Sequence, residues 1–389
     1  MNLMNDRQQG LDPVFPADEV DLTPAALRTR HIVFPDPRTA EYLVAGLPLA
    51  ARLVHALSLD AAAVPGCTIV ATVAEGSWTP SQRCRDECNR LCGGLSLRLG
   101  GDAEPARGAK VFGALDLLTG LTRQAREALG KRAPRATGPS LKAPVSAEAA
   151  LHEADHLFLL ATSKPQDGLF SRLFNRPVSR AITRRLLRYA WIQPLHATAG
   201  TALLASLMLA VMLTFPVHGA VLGALLFQAA SIFDGVDGEI ARATFRTSPA
   251  GARLDSLIDA ATNLAFVAGL SINLWLRGDA PAAYAGLAGL ALLLAGLSQI
   301  GRRAQKQGEP INFEAVKVQL RRNPKRRWLV DLVIWLTMRD FIAFAAALLA
   351  VLGKVIWVPF IFLSVAICWF VAITVLLARS GSRSSGAAS

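Results

Sequence analysis

Charge is scarce in this chain. Asp, Glu, Lys and Arg make up 18% of its 389 residues, against roughly 25% in ordinary soluble domains, while apolar residues reach 52%. That composition excludes a disordered chain, which needs low hydrophobicity and high charge, and argues against a fully soluble enzyme. Acids are scarcer than bases: 29 Asp+Glu against 41 Lys+Arg leave a formal charge of +12. An apolar chain with a basic excess suits either nucleic acid or the anionic face of a membrane. No DNA-binding motif accompanies the charge, so the expected partner is an anionic lipid bilayer and not nucleic acid. The start, MNLMNDRQQGLDPVF, lacks the basic-then-apolar pattern of a cleaved signal peptide, which places the N-terminal half in the cytoplasm. Its cysteines, five in the whole chain, agree with a reducing compartment. Cys84, Cys88 and Cys92 recur every fourth residue and stack on one helical face, as buried thiols or as metal ligands.

What the chain does have, from about residue 197 onward, is apolar runs of bilayer length, for which a helix needs about 20 residues. Six are expected: 197–216, 218–240, 255–276, 281–301, 332–352 and 355–378. The connections Pro216–His218, Arg277–Pro281 and Gly353–Lys354 are short and nearly uncharged. The others are basic, with Arg242, Arg246 and Arg253 between spans two and three and a run from Arg302 to Arg327 between four and five. This alternation follows the positive-inside rule and puts both termini on the cytoplasmic side. The reading is a polytopic α-helical membrane protein with six spans, carrying an N-terminal cytoplasmic α/β domain, in the inner membrane of a prokaryote. The expected division is a flexible 1–29, an α/β domain over 30–165, an amphipathic juxtamembrane helix over 166–193, a six-helix domain over 194–379 and a disordered tail over 380–389.

The acids that interrupt spans two and three carry the chemistry. Asp234 and Asp237 are three apart, and Asp255 and Asp259 four apart, so each pair shares a helical face. The breaker-rich stretch Thr247–Gly251 lets the two helices turn back on each other and the pairs converge. Four carboxylates there repel unless cations sit between them. Hard oxygen ligands favour Mg²⁺, Mn²⁺ or Ca²⁺ over zinc, and two such ions close together clamp a diphosphate for in-line displacement at phosphorus. Gly235 and Gly238 leave the helix surface bare, open to a flat ligand. A cation transporter, with the acids as an ion path, is the alternative from another class.

The segment fits, position for position, D-x2-D-G-x2-A-R-x8-G-x3-D-x3-D, through Asp234, Asp237, Gly238, Ala241, Arg242, Gly251, Asp255 and Asp259. It thereby resembles the CDP-alcohol phosphotransferase family, whose members have six spans with this signature on the second and third. The resemblance implies a homodimer and two Mg²⁺ or Mn²⁺ ions held by Asp234, Asp237, Asp255 and Asp259. Asp259 would be a ligand or the base that takes the acceptor hydroxyl's proton. Asp234, Gly238, Ala241, Arg242 and Gly251 would bind the CDP moiety, with Arg242 at the diphosphate. The implied reaction moves a substituted phosphate from a CDP-alcohol, such as CDP-diacylglycerol, to an alcohol phosphate such as inositol phosphate, with CMP leaving. The reverse assignment, a CDP-polyol donor with a lipid or inositol phosphate acceptor, fits the same signature.

Before the first span, KPQDGLFSRLFNRPVSRAITRRLL resembles the junction in fused members, where a cytidylyltransferase precedes a di-myo-inositol-phosphate phosphate synthase. Arg172, Arg176, Arg180 and Arg184 recur every fourth residue opposite Leu173, Phe174, Val178 and Ile182, the pattern of an amphipathic helix on an anionic leaflet. Pro194-Leu-His-Ala-Thr198 stands where many members read T-P-N-x-x-T. Arg339, inside the fifth span, is read either as holding an acceptor phosphate or as pairing with Asp340.

Residues 30–162 alternate β-like runs (HIVF, CTIVATV, LSLRL, LFLLAT) with helix-like ones (Thr39–Leu57, Gln82–Cys92, Ala114–Leu129), the pattern of an α/β layer domain. Residues 130–146 read as a loop or lid. The domain loosely resembles sugar-phosphate nucleotidyltransferases, but Pro35-Asp-Pro-Arg38 stands where those enzymes carry a Gly-rich phosphate loop. The expectation is a fold kept and an activity lost. His152-Glu-Ala-Asp-His156 formally fits H-E-x-x-H; with Asp155 between the ligands and no third ligand evident, it reads as an exposed helix leading into the LFLLAT strand.

Overall fold

The computed structural model describes residues 29–61, 66–101, 109–130, 146–164, 167–168, 170–307 and 339–385. The chain gathers into two compact units. The first comprises Met1–Lys164 with two later pieces, Ile182–Ile192 and Glu239–Arg246; the second comprises Pro165–Ala181, Gln193–Gly238 and Thr247–Ser389.

The first unit is built on a parallel sheet of β1 (Thr29–Phe34), β4 (Thr68–Val73), β5 (Ser96–Leu99) and β6 (Lys110–Gly113), in the order β5-β4-β1-β6. Ile32 pairs with Ala71 and Phe112 on either side. Parallel strands need crossovers rather than tight turns: α2 (Leu49–Ala61) lies between β1 and β4 and α3 (Gln82–Leu91) between β4 and β5, while α4 (Ala114–Leu129) and α5 (Ala147–Ala161) follow β6. Ile32, Phe34 and Ile69 of the sheet pack with Leu53, Leu57, Leu118 and Leu151 of the helices in one core. Cys84, Cys88 and Cys92 sit in that core as free thiols, with Cys84 Sγ 3.9 Å from Cys88 Sγ. The Cys84 side chain and burial together push the Cys88 thiol up, so it stays protonated.

Three expectations for this unit change. The run Thr39–Leu57 is not one helix: α1 (Pro37–Glu41) ends at Tyr42, and a short hairpin of β2 (Leu43–Val44) and β3 (Leu47–Pro48) precedes α2. Ala45 and Gly46 at its tip both have positive φ, 45° and 84°, the backbone of a tight hairpin turn. The LFLLAT segment is helical, not a strand. With Ser146 accepting from the Ala149 amide as N-cap, α5 runs through it and buries Leu151, Ala154 and Leu157 on one face, a helical period that overrides the local β propensity. Third, the sheet gains β6, a strand not among the expected ones, paired parallel with β1. The lid at 131–145 and the segment 1–28 lie outside the described residues.

Among the described residues five helices are long and apolar enough to cross a membrane: Pro194–Thr214, Gly219–Ala243, Pro249–Leu276, Ala280–Gln299 and Trp357–Val375. They belong to α7 (Pro194–Thr214), α8 (Gly219–Ala243), α9 (Pro249–Leu276), α10 (Ala280–Gln307) and α12 (Trp357–Ser385). The expected fifth span is represented by α11 (Arg339–Val351); its residues 332–338 lie outside the described residues. Helix α9 begins at Pro249, six residues before the expected span, because Ser248 accepts from the Gly251 amide at 3.0 Å and Pro249 occupies the first turn. Ala220, Ala224, Ala282, Ala283, Ala343, Ala346 and Ala350 are buried, small residues that let helices approach where lipid offers no hydrophobic gain. Phe227 and Phe266 stack at 4.0 Å between α8 and α9. The juxtamembrane helix α6 (Arg176–Leu186) follows a π-helical turn, Ser171–Asn175.

Gly46 offers a local test within the first unit. A Cβ there would lie 2.7 Å from the Leu187 side chain, on a left-handed backbone. Gly46→Ala should therefore cost about 1–3 kcal/mol, read as a lower Tm of the full-length protein in detergent; an unchanged Tm contradicts the packing.

Candidate active site

The signature residues lie on α8 and α9, and the second unit shows what surrounds them. Asp237 is 6% exposed, and Thr198 Oγ1 donates to its Oδ2 at 2.6 Å. A buried carboxylate is costly without such donors. Asp234, Asp255 and Asp259 are half-buried. Arg339, at the first turn of α11, pairs with Asp234 (Nη1 to Oδ1, 3.1 Å) and with Asp259. One guanidinium thus stands between one carboxylate of α8, Asp234, and one of α9, Asp259.

Of the two readings of Arg339, the pairing with Asp340 is not what the structure has: its partners are Asp234 and Asp259. Asp340 Oδ1 instead accepts from Ser231 Oγ at 2.9 Å and from Asn175 Nδ2 at 3.2 Å, and Gln228 Nε2 donates to Asn175 Oδ1 at 2.9 Å. This polar network lies one turn and more below Asp234 on α8. Sequence reasoning missed Asn175, Ser231 and Gln228, since lone amides and hydroxyls in apolar runs carry no spacing signal. Arg176 also departs from the leaflet-facing role. It is 8% exposed, bound to Asp167 through two hydrogen bonds of 2.9 Å, and its Nη1 donates to the Gly235 carbonyl at 3.4 Å. A Cβ on Gly235 would lie 2.7 Å from that nitrogen. The bare surface expected to admit a flat ligand is thus occupied, at Gly235, by Arg176. Leu173, Phe174 and Val178 are exposed large apolar side chains of this segment, and Arg184 of the arginine stripe is exposed as well.

Among the described residues no group of three or more His, Cys, Asp or Glu is placed to hold a metal ion. The donor chemistry nevertheless fits a hard divalent cation: all four groups are carboxylates, and Asp259 Oδ1 is buried against a positive charge, that of Arg339. Gly251 has its amide engaged by Ser248, and Gly238 is half-buried. Ala241 and Arg242 fall in the first unit. There Arg242 Nε donates to the Thr162 carbonyl, at 2.5 Å, where α5 ends.

The sheet of the first unit has its topological switch point between β1 and β6, the place where ligands bind in doubly wound folds. Both positions after those strands are filled by the chain's own acids. Asp36 accepts from the Thr39 amide at 2.9 Å and hydroxyl at 2.7 Å, and these bonds hold its carboxyl below the usual range. Asp116 folds back over Gly113, where a Cβ would meet its Oδ2 at 2.5 Å. A phosphate approaching either helix start would meet negative charge. The H-E-x-x-H residues are likewise engaged elsewhere: His152 Nδ1 faces Tyr42 Oη at 3.1 Å, Glu153 pairs with Arg126, and Asp155 accepts from the Ala45 amide at 2.8 Å.

Residues 194–376 match the family model described as CDP-alcohol phosphatidyltransferase. A protein of Aquifex aeolicus called "Bifunctional IPC transferase and DIPP synthase" is 39% identical over 108 residues, 28% of this chain and 24% of that one. Proteins of the same name from Thermococcus kodakarensis (36% over 103 residues, 26% of this chain and 22% of that one) and Rubrobacter xylanophilus (43% over 72 residues, 18% and 16%) are also similar. The chain spans about a quarter or less of the length of each of these relatives.

Arg339→Met should leave Asp234 and Asp259 without their shared counter-charge. The expected loss is about 1–3 kcal/mol, seen as a lower Tm, with added Mn²⁺ raising the Tm more in the variant than in the parent. Equal Mn²⁺ responses would contradict the shared-cation geometry.

Proposed function

We propose, on the premise that residues 194–376 belong to the CDP-alcohol phosphatidyltransferase family, that the chain is a membrane enzyme using CDP-diacylglycerol as donor. It transfers the phosphatidyl group to the hydroxyl of a polyol phosphate such as inositol phosphate, releasing CMP in phospholipid synthesis. The observation that carries this reading is the convergence of Asp234 and Asp259 on one cation beside the buried, hydroxyl-held Asp237. Asp234, Asp237, Asp255 and Asp259 would hold two Mg²⁺ or Mn²⁺ ions. When bound, such ions neutralise the diphosphate and ease departure of CMP. The chain's own groups do the rest. Thr198 fixes the Asp237 carboxylate, Arg339 carries positive charge to the acceptor side, and Asp259 takes the proton of the attacking hydroxyl. The acceptor oxygen bonds to the β-phosphorus, the bond from that phosphorus to the CMP oxygen breaks, and CMP keeps the electron pair.

A lipid donor is supported by an apolar cavity of about 270 Å³ lined by Phe266, Leu270, Phe341, Ala345, Leu349 and Phe362. Phe341 is two residues from Arg339, so the cavity starts near the site and continues along α11, as an acyl chain would. The second reading, a CDP-polyol donor, is favoured by the relatives' name, "Bifunctional IPC transferase and DIPP synthase". The enzyme would be a homodimer in the inner membrane of a prokaryote, with its active site on the cytoplasmic face. The α/β unit would have no nucleotidyltransferase activity, given Asp36 and Asp116 at its switch point.

Three outcomes are expected. Asp255→Asn and Asp259→Asn should abolish CMP release from CDP-diacylglycerol while leaving the protein folded in the membrane, and EDTA should silence the parent until divalent metal is returned. Wild-type-like turnover in either variant, or a metal-independent reaction, sinks the mechanism. The full-length Asp255→Asn protein should also release no pyrophosphate from CTP with inositol phosphate; steady release would restore a cytidylyltransferase role to the α/β unit.

A further inference from the structure

We propose that Arg52 and Arg90 are positioning residues for the transferase signature, clamping the C-terminal end of α8 and so fixing the helix that presents Asp234, Asp237 and Arg242. The proposal rests on the function proposed for those residues.

The end of α8 is a capping motif with an unusual occupant. The Arg246 amide donates to the Ala241 carbonyl at 2.8 Å, and the Thr244 amide to that of Ile240 at 3.0 Å. Such caps place a left-handed residue before the last donor, usually glycine. Here it is Phe245, at φ 54°. A side chain holds that backbone only where its surroundings compel it, and the surroundings are specific. The Phe245 ring lies 4.2 Å from the His55 ring, and the Arg52 guanidinium sits 5.5 Å over it. Arg52 is 5.1 Å from the Phe158 ring as well.

The carbonyls left open at the helix end are then taken by guanidinium groups. Arg52 Nη2 donates to Ala243 O at 2.7 Å; Arg90 donates to Thr244 O at 2.7 Å and to Phe245 O at 3.4 Å. A helix C-terminus carries partial negative charge, so cations are the matched partners. Arg52 is only 6% exposed, and its other bonds go to Val44 O (2.5 Å) and Ala45 O (2.9 Å) at the β2–β3 turn. Arg90 is held in turn by Glu87, which also pairs with Arg246. Arg83 repeats the device on the segment after α6, donating to Leu187 O at 2.9 Å and Arg188 O at 2.9 Å.

Arginines of α2 and α3 are thus committed to carbonyls of 182–192 and 239–246, the two later pieces of chain in this unit. That gives the α/β unit a use that its lost phosphate loop does not explain. Because α8 is one continuous helix, an end fixed at Ala243 sets the rotation of Asp237 about 9 Å away at 1.5 Å per residue. Misplacement of catalytic groups by about 1 Å can cost on the order of 100-fold in rate.

The experiment uses full-length protein in detergent, with Arg52→Lys, Arg90→Ala and Phe245→Gly, and reads Tm, amide hydrogen exchange over 240–246, and kcat and KM for CMP release. Lysine keeps the charge of Arg52 but lacks its fork of donors; glycine relieves the left-handed strain and removes the ring. Expected are exchange over 240–246 faster by about tenfold, and a kcat lowered by about tenfold with acceptor KM within about twofold. In Phe245→Gly this should occur with no loss of Tm. Variants with parent-like exchange, or with faster exchange and unchanged kcat, overturn the proposal. Should Arg52→Lys fail to fold, the same readouts on the exposed Arg90→Ala decide between these outcomes. A parent protein that releases no CMP from any CDP-alcohol defeats the functional reading alone, and the exchange data still decide the clamp.

Discussion

Everything at this site follows from placing like charges together at the ends of apolar helices. Asp234 and Asp237 on α8 and Asp255 and Asp259 on α9 come from a segment whose turn brings the two helices back on each other. Carboxylates gathered there need a counter-cation. Arg339 meets part of that need by reaching both Asp234 and Asp259, and Thr198 meets another part by donating to Asp237. Under the proposed function the same carboxylates would hold divalent ions, and through them a diphosphate.

The second dependence is on α8 itself. It enters through small buried residues, Ala220 and Ala224, carries the first two aspartates, and ends at a cap held by arginines of the α/β unit. The switch point of that unit is closed by Asp36 and Asp116, while Arg52, Arg83 and Arg90 are committed to backbone carbonyls. Packing and polar satisfaction, more than chemistry, account for what that unit retains.

Much of this was legible in the sequence, for reasons particular to each feature. The apolar runs exposed the long helices because bilayer thickness imposes a length that soluble cores do not. The aspartates stood out because acids are costly there and their spacing is helical. In the α/β unit, α4 was visible from its periodicity alone. What stayed hidden depends on long-range partners. The break between Thr39 and Leu57 rests on the turn at Ala45 and Gly46, whose positive φ is satisfied by Asp155 and Arg52. LFLLAT is helical because α5 buries one face, although its residues also suit a strand. The inward turn of Arg176 needed Asp167 and the bare Gly235, and Phe245 at a helix end gives no signal of its strained cap.

The central claim is that this chain moves a substituted phosphate from a CDP-alcohol to a hydroxyl. The most direct measurement is CMP release by the purified full-length protein with radiolabelled CDP-diacylglycerol and CDP-polyol, each tested against a panel of acceptors in the presence of Mg²⁺ or Mn²⁺. The account predicts acceptor-dependent CMP release matched by a labelled phosphodiester product, with CDP-diacylglycerol and inositol phosphate as the productive pair. No CMP release with any pair, from protein that is folded and metal-replete, would contradict it.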